Sequence, residues 1–149
     1  MRPSEETLAA ILSRNGYRIT PQRRAVLHAI VSSNEHVTPA AVYSRAKRTC
    51  SKIGLVTVYR TLEALFELGL VCRIESSGKS QSYALAPEGH HHHIVCSGCG
   101  AVTDFSDCNL GDLERKLARE TGFAIESHRL QFFGICPECR SRAAGEILK

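Results

Sequence analysis

The 149-residue chain has no apolar run long enough to cross a bilayer as a helix, and its first residues lack the apolar core of a secretory signal. Membrane insertion is not expected, and the cytosol is the expected compartment. Strong charge of either sign is also missing. The formal net charge is only +4, too little on its own to argue for a polyanionic partner. No His-Glu-x-x-His pair and no nucleophile motif is present, so a zinc hydrolase would lack both its ligand frame and its base. The chain is not expected to be an enzyme or to bind a small-molecule substrate.

What is present is unevenly distributed. Residues 1–85 hold 12 Lys and Arg against 6 Asp and Glu, whereas residues 86–149 hold 7 against 9. Of seven cysteines and seven histidines, only Cys50, Cys72, His28 and His36 lie in the first part. A basic part suits a polyanion, and a part rich in thiol and imidazole suits metal. In a reducing cytosol, paired thiols hold metal or do redox work more often than they form structural disulfides. Two domains are therefore expected, at 1–85 and 86–149.

In the first domain, Leu8, Ile11 and Leu12 recur at helical spacing before Asn15-Gly16, a helix stop. Thr20-Pro21 and Thr38-Pro39 each pair a hydroxyl cap with proline at the first helical position, where its missing N–H costs nothing. These predict helices to about Ser32 and Arg48. A longer helix is expected from Leu55 to Gly69, with Val58, Leu62, Leu65 and Phe66 on one face. Alternating segments at 70–75 and 80–85, around Ser76-Ser77-Gly78-Lys79, predict a β-hairpin. This is the pattern of a winged helix-turn-helix, in which the second helix of the motif enters the major groove. Thr57, Tyr59 and Arg60 are then the candidate base readers, and Arg18, Arg23, Arg24 and Lys52 the candidate phosphate contacts.

In the second domain, Cys96-Ser-Gly-Cys99 and Cys136-Pro-Glu-Cys139 are two Cys-x-x-Cys knuckles, which together make a tetrahedral four-thiolate zinc site. The segment between them is expected to fold as a strand at 100–105, a helix at 110–121 closed by Gly122, and a strand at 123–133. A dithiol redox protein is the competing reading, but Pro137 follows the first thiol of the second knuckle with no helical setting expected there. His90-His91-His92-His93 precedes the first knuckle. If that segment is extended, His91 and His93 serve one face while His90 and His92 serve the other. A zinc-dependent adaptor that binds protein would keep the knuckles but leave Tyr59 and Arg60 without a task.

Gly16-Tyr17-Arg18-Ile19-Thr20-Pro21-Gln22-Arg23, Thr57-Val58-Tyr59-Arg60-Thr61-Leu62, Gly69-Leu70-Val71, the histidine run and both knuckles together resemble the ferric uptake regulator family, from about residue 8 to residue 140. The resemblance implies an α+β chain: an N-terminal winged-helix DNA-binding domain, then a small α/β dimerisation domain with structural zinc. It implies a homodimer on a palindromic operator, repressing genes of metal homeostasis or peroxide stress when a second divalent metal binds. That regulatory metal would use His36, His91, His93 and Asp104. The family's ligand from the end of the wing falls on Ala84, and in a zinc-regulator pattern Cys72 joins His91 and His93. A further site would use His90, His92 and His128. Gly111 stands where its glutamate is expected, so Cys108, Asp112 or water must substitute. His36 and Asp104 lean toward Fe²⁺ or Mn²⁺ and an Asp at 104 also resembles peroxide sensors, whereas Cys72 leans toward Zn²⁺; Ni²⁺ stays open.

Overall fold

Hydroxyl caps start the first three helices of the computed structural model, which describes residues 2–75 and 80–146. Ser4, Thr20 and Thr38 accept from the N–H groups of Thr7, Arg23 and Ala41 at 3.2, 3.1 and 3.2 Å, satisfying donors that a helix start leaves open. They open α1 (Glu5–Arg14), α2 (Pro21–Val31) and α3 (Pro39–Thr49); α4 (Leu55–Glu67) is next in the chain. Helix α4 stops where Gly69 takes φ +69°, and Leu70 N–H closes back on Leu65 O at 2.8 Å. Strands β1 (Val71–Glu75) and β2 (Gln81–Leu85) pair antiparallel, with Cys72 opposite Ala84. The turn expected at Ser76-Ser77-Gly78-Lys79 lies outside the described residues.

Leu8, Leu12, Val26, Ile30, Leu62 and Leu65 are among the buried side chains that join these helices into one apolar core. Tyr83 of β2 is buried in it, and its hydroxyl donates to Glu63 of α4 at 3.1 Å. Arg73 of β1 meets the same carboxylate at 3.1 Å, so both wing strands are tied to one helix. The segment before α3 joins the hairpin as well: Val37 and Tyr83 exchange two backbone hydrogen bonds at 2.8 Å.

The chain divides into two units, Met1–Glu88 and Gly89–Lys149. In the second, β3 (His92–Cys96) runs antiparallel to β4 (Val102–Phe105) and parallel to β5 (Gln131–Gly134), in the order β4-β3-β5. Helices α5 (Gly111–Thr121) and α6 (Pro137–Glu146) complete it. Gly122 ends α5 at φ +75° as expected. The strand expected over 123–133 is ordered as a strand only at Gln131–Gly134, because the ladder to β3 begins at His93↔Gln131. Helix α6 was not expected from the sequence.

The two units are held differently. In the second, Val95 and Cys96 are the only buried apolar residues among those described, and α5 buries nothing. Leu113, Leu117, Phe123, Phe132 and Phe133 all stand exposed. So small a core leaves stability to cross-links or partners. In the first unit, by contrast, packing alone suffices: Leu62→Ala is expected to destabilise it by about 2–5 kcal/mol, read as a lower urea midpoint by circular dichroism.

Candidate metal centres and nucleic-acid interface

Four thiols meet at one end of the small sheet. Cys96 ends β3, Cys99 lies in the knuckle turn, and Cys136 and Cys139 flank the start of α6. Their sulfurs all lie within 4.8 Å of one another, with Cys99 and Cys136 at 3.8 Å. Zn–S bonds of about 2.3 Å in a tetrahedron put sulfurs about 3.8 Å apart, so the set fits zinc. Backbone amides of Cys136 and Gly98 donate to Cys96 Sγ at 3.2 and 3.4 Å. The amides of Cys136 first, and then of Cys99 and Gly98, draw the Cys96 thiol down to about 6. Hydrogen bonding to the Cys136 and Cys99 sulfurs pushes Cys139 up to about 12. Four thiolates therefore do not coexist here without a cation between them. A Cβ at Gly98 would stand 3.1 Å from Cys139 Sγ, so a larger residue there would push that sulfur aside by a few tenths of an ångström.

Cys136 immediately precedes α6, with Pro137 at the first helical position, where proline is well placed. The redox reading still loses its basis. A dithiol couple needs one pair, and here two pairs converge.

The histidine run alternates as an extended segment requires. On one face, Cys108 Sγ stands 2.9 Å from His90 Nε2, 3.1 Å from His92 Nε2 and 3.4 Å from His128 Nε2. His128 and His92 present their Nε2 atoms 3.2 Å apart, and Glu114 Oε1 lies 2.6 Å from His128 Nδ1. Burial first, then repulsion from His90 and His128, holds His92 below its ordinary value, which keeps it neutral. Asp112 instead pairs with Arg115 on the same helix. On the other face, His91 and His93 have ring centroids 5.1 Å apart, and His93 Nε2 lies 3.4 Å from Asp104 Oδ1 on the neighbouring strand. Within the first unit, a His36 ring nitrogen and Cys72 Sγ lie within 4.8 Å of each other. The pairing of Val37 with Tyr83 explains this, since it sets His36 beside the hairpin where Cys72 faces Ala84.

The start of α4 offers the groups a base edge can use. Tyr59 and Arg60 are exposed, as are Leu55 and Val56, while Thr57 is half-buried and its carbonyl accepts from Thr61 at 2.7 Å. Leu55 and Val56 were not among the base readers expected from the sequence, which were Thr57, Tyr59 and Arg60. Arg18 and Lys52 are exposed. Arg23 is half-buried, donating to Arg18 O at 2.6 Å and lying over the Tyr17 ring, and Arg24 meets Glu5 at 3.4 Å.

Comparison with known proteins decides among the readings. The model of the ferric uptake regulator family matches residues 14–133. The chain belongs to that family. The ferric uptake regulation protein of Bacillus subtilis is 40% identical over 135 residues, 88% of this chain and 91% of the relative. The peroxide-responsive repressor of Staphylococcus aureus is 32% identical over 138 residues, 93% and 92% of the two chains. The ferric uptake regulator of Pseudomonas aeruginosa, solved with manganese, superposes with TM-score 0.68 at 28% identity, covering 87% of this chain and 97% of that one. As a member, this chain is an α+β, metal-responsive, DNA-binding transcriptional repressor whose cofactors are structural zinc and a second divalent metal.

Two outcomes are expected for the four-thiol centre. Cys136→Ser should lose one zinc per chain, counted by mass spectrometry of the metal, together with the far-ultraviolet signal of the second unit. A Cys96 thiol drawn down to about 6 stays ionised above that pH and contributes stability that is lost as pH falls through about 6. Release of zinc from the loaded protein to a competing chelator should therefore rise as pH falls toward that value.

Proposed function

We propose that the chain acts in the bacterial cytoplasm as a homodimer that inserts its two α4 helices into successive major grooves of a palindromic operator. The observation that carries this reading is the first two turns of α4, where Leu55, Val56, Tyr59 and Arg60 all face solvent on a helix otherwise packed into the core. Apolar groups there suit thymine methyls, and Arg60 suits a guanine edge or a phosphate. Arg18 and Lys52 meet phosphates; Arg23 braces Arg18 and serves the backbone only at its rim. The exposed Leu113, Leu117, Phe132 and Phe133 supply the apolar surface that a second copy would cover. The four-thiolate set Cys96, Cys99, Cys136 and Cys139 holds the structural zinc.

His36, His91, His93 and Asp104 would hold the effector, with Cys72 standing across the hairpin from Ala84, where the family's wing ligand falls. Nitrogen and carboxylate donors suit Fe²⁺ or Mn²⁺. Relatives named for ferric uptake and for peroxide response support this, as do related regulators solved with iron and with manganese. Donors drawn from both units around one ion would narrow the separations the two α4 helices sample, toward grooves about 34 Å apart or a multiple of it.

Replacing both Tyr59 and Arg60 by Ala should weaken operator binding by about 2–6 kcal/mol and relax sequence preference. Lys52→Ala should instead weaken all sequences alike and lower the slope of log affinity against log salt by about one. Undiminished operator affinity in the double variant, measured by fluorescence anisotropy, would rule out recognition through α4.

A further inference from the structure

Cys108 sits in the loop between β4 and α5, and its sulfur and the ring nitrogens of His90, His92 and His128 all lie within 4.8 Å of one another. Its sulfur lies within 2.9–3.4 Å of three imidazole nitrogens contributed by β3, the segment just before it, and the segment before β5. Tetrahedral zinc with bonds of about 2.0–2.1 Å to nitrogen and 2.3 Å to sulfur separates neighbouring donors by about 3.3–3.6 Å. The observed spacings are close to this, contracted around a point at which no donor is missing.

From this arrangement we infer that Cys108 is the fourth ligand of a closed three-histidine, one-thiolate centre with His90, His92 and His128, and that this centre takes Zn²⁺ in preference to Fe²⁺ or Mn²⁺. The inference rests on the reading of His90, His92 and His128 as a metal site and adds to it the donor, the metal class and the role. A thiolate is a soft donor that favours zinc over iron(II) or manganese(II), and four protein donors leave no position open for an exchangeable ligand. Glu114 completes the design. Its carboxylate at His128 Nδ1 holds that proton and points Nε2 inward, the outer-shell contact that orients a metal-bound histidine.

Loading also has a proton balance. The Cys108 thiol gives up its proton when sulfur binds. Leu130 N–H lies 3.2 Å from His92 Nδ1, so the free imidazole carries its proton on Nε2; ligation through Nε2 moves that proton to Nδ1, and the Leu130 amide gives up its hydrogen bond. The role comes from α5, which buries no side chain against the rest of the unit. Cys108 just before this helix and Glu114 in its first turn are joined through His128, His90 and His92 to the sheet. The centre is thus a second staple that fixes α5 and its exposed Leu113 and Leu117, and it is not the effector site.

The test uses the full-length protein with its four-thiolate zinc retained, loose metal chelated away, and Co²⁺ then added as an optical probe. Wild type and Cys72→Ser should both show a sulfur-to-cobalt charge-transfer band that Zn²⁺ abolishes and Fe²⁺ or Mn²⁺ does not. Cys108→Ser should lack the band and bind zinc at this site roughly a hundredfold more weakly, the share of one ligand in four. One retained zinc per chain and an unchanged circular dichroism spectrum show that this variant has folded. A full band in Cys108→Ser, or a band lost only in Cys72→Ser, overturns the inference. His128→Gln separates the two levels: if it removes the labile metal while Cys108→Ser does not, the thiolate ligand fails alone, and if neither removes it, the site itself fails.

Discussion

The convergence of four thiols at one end of the small sheet is what the second unit depends on. Its three-stranded sheet and two helices bury almost no apolar side chain, so hydrophobic burial of the kind that holds the first unit is not available to it. The knuckles compensate by tying the end of β3 to the start of α6. Their amides lower the cost of gathering negative sulfur in one place, as the downward pull on Cys96 shows, while Cys139 is pushed up because its thiol proton is hydrogen-bonded to the other sulfurs, a proton that a cation must displace. With β3 fixed at that end, the alternation of the four preceding histidines onto two faces is fixed as well.

That alternation distributes two chemistries along four residues. One face has imidazole and a carboxylate on the neighbouring strand; the other has imidazole and a thiol from the loop before α5. Hard and soft donors are thus kept apart by the pleat of one strand, a separation that a helix, which brings residues four apart together, would not provide. The first unit contributes its own pair, His36 and Cys72, held by the short ladder between Val37 and Tyr83.

Most of the fold was legible because its signals are local. Threonine-proline caps, glycine stops at Gly69 and Gly122, and apolar spacing marked α1 to α5 closely. The knuckle spacing marked the zinc set because two residues between thiols is a geometric requirement that the chain states outright. Three things were not legible. The strand at 123–133 was read too long, because Phe123 and Ile125 alternate like strand residues yet stand exposed, and strand pairing begins only where β3 supplies partners. Helix α6 was missed because Cys-Pro-Glu-Cys reads as a turn and the residues after Cys139 form a short, weakly patterned segment. The convergence of Cys108 and Glu114 on His128, and of Cys72 on His36, joins residues 14 to 36 positions apart; no periodicity encodes such contacts.

The central claim is that a second divalent ion, distinct from the structural zinc, sets operator affinity. Its most direct test is operator-fragment binding by protein that keeps its four-thiolate zinc, with loose metal removed, titrated separately with Fe²⁺, Mn²⁺, Zn²⁺ and Ni²⁺. Tight, salt-sensitive binding restored by Fe²⁺ or Mn²⁺ at cell-like free concentration, and lost again in His93→Ala, is the result this account predicts. Operator affinity that no ion changes would contradict it.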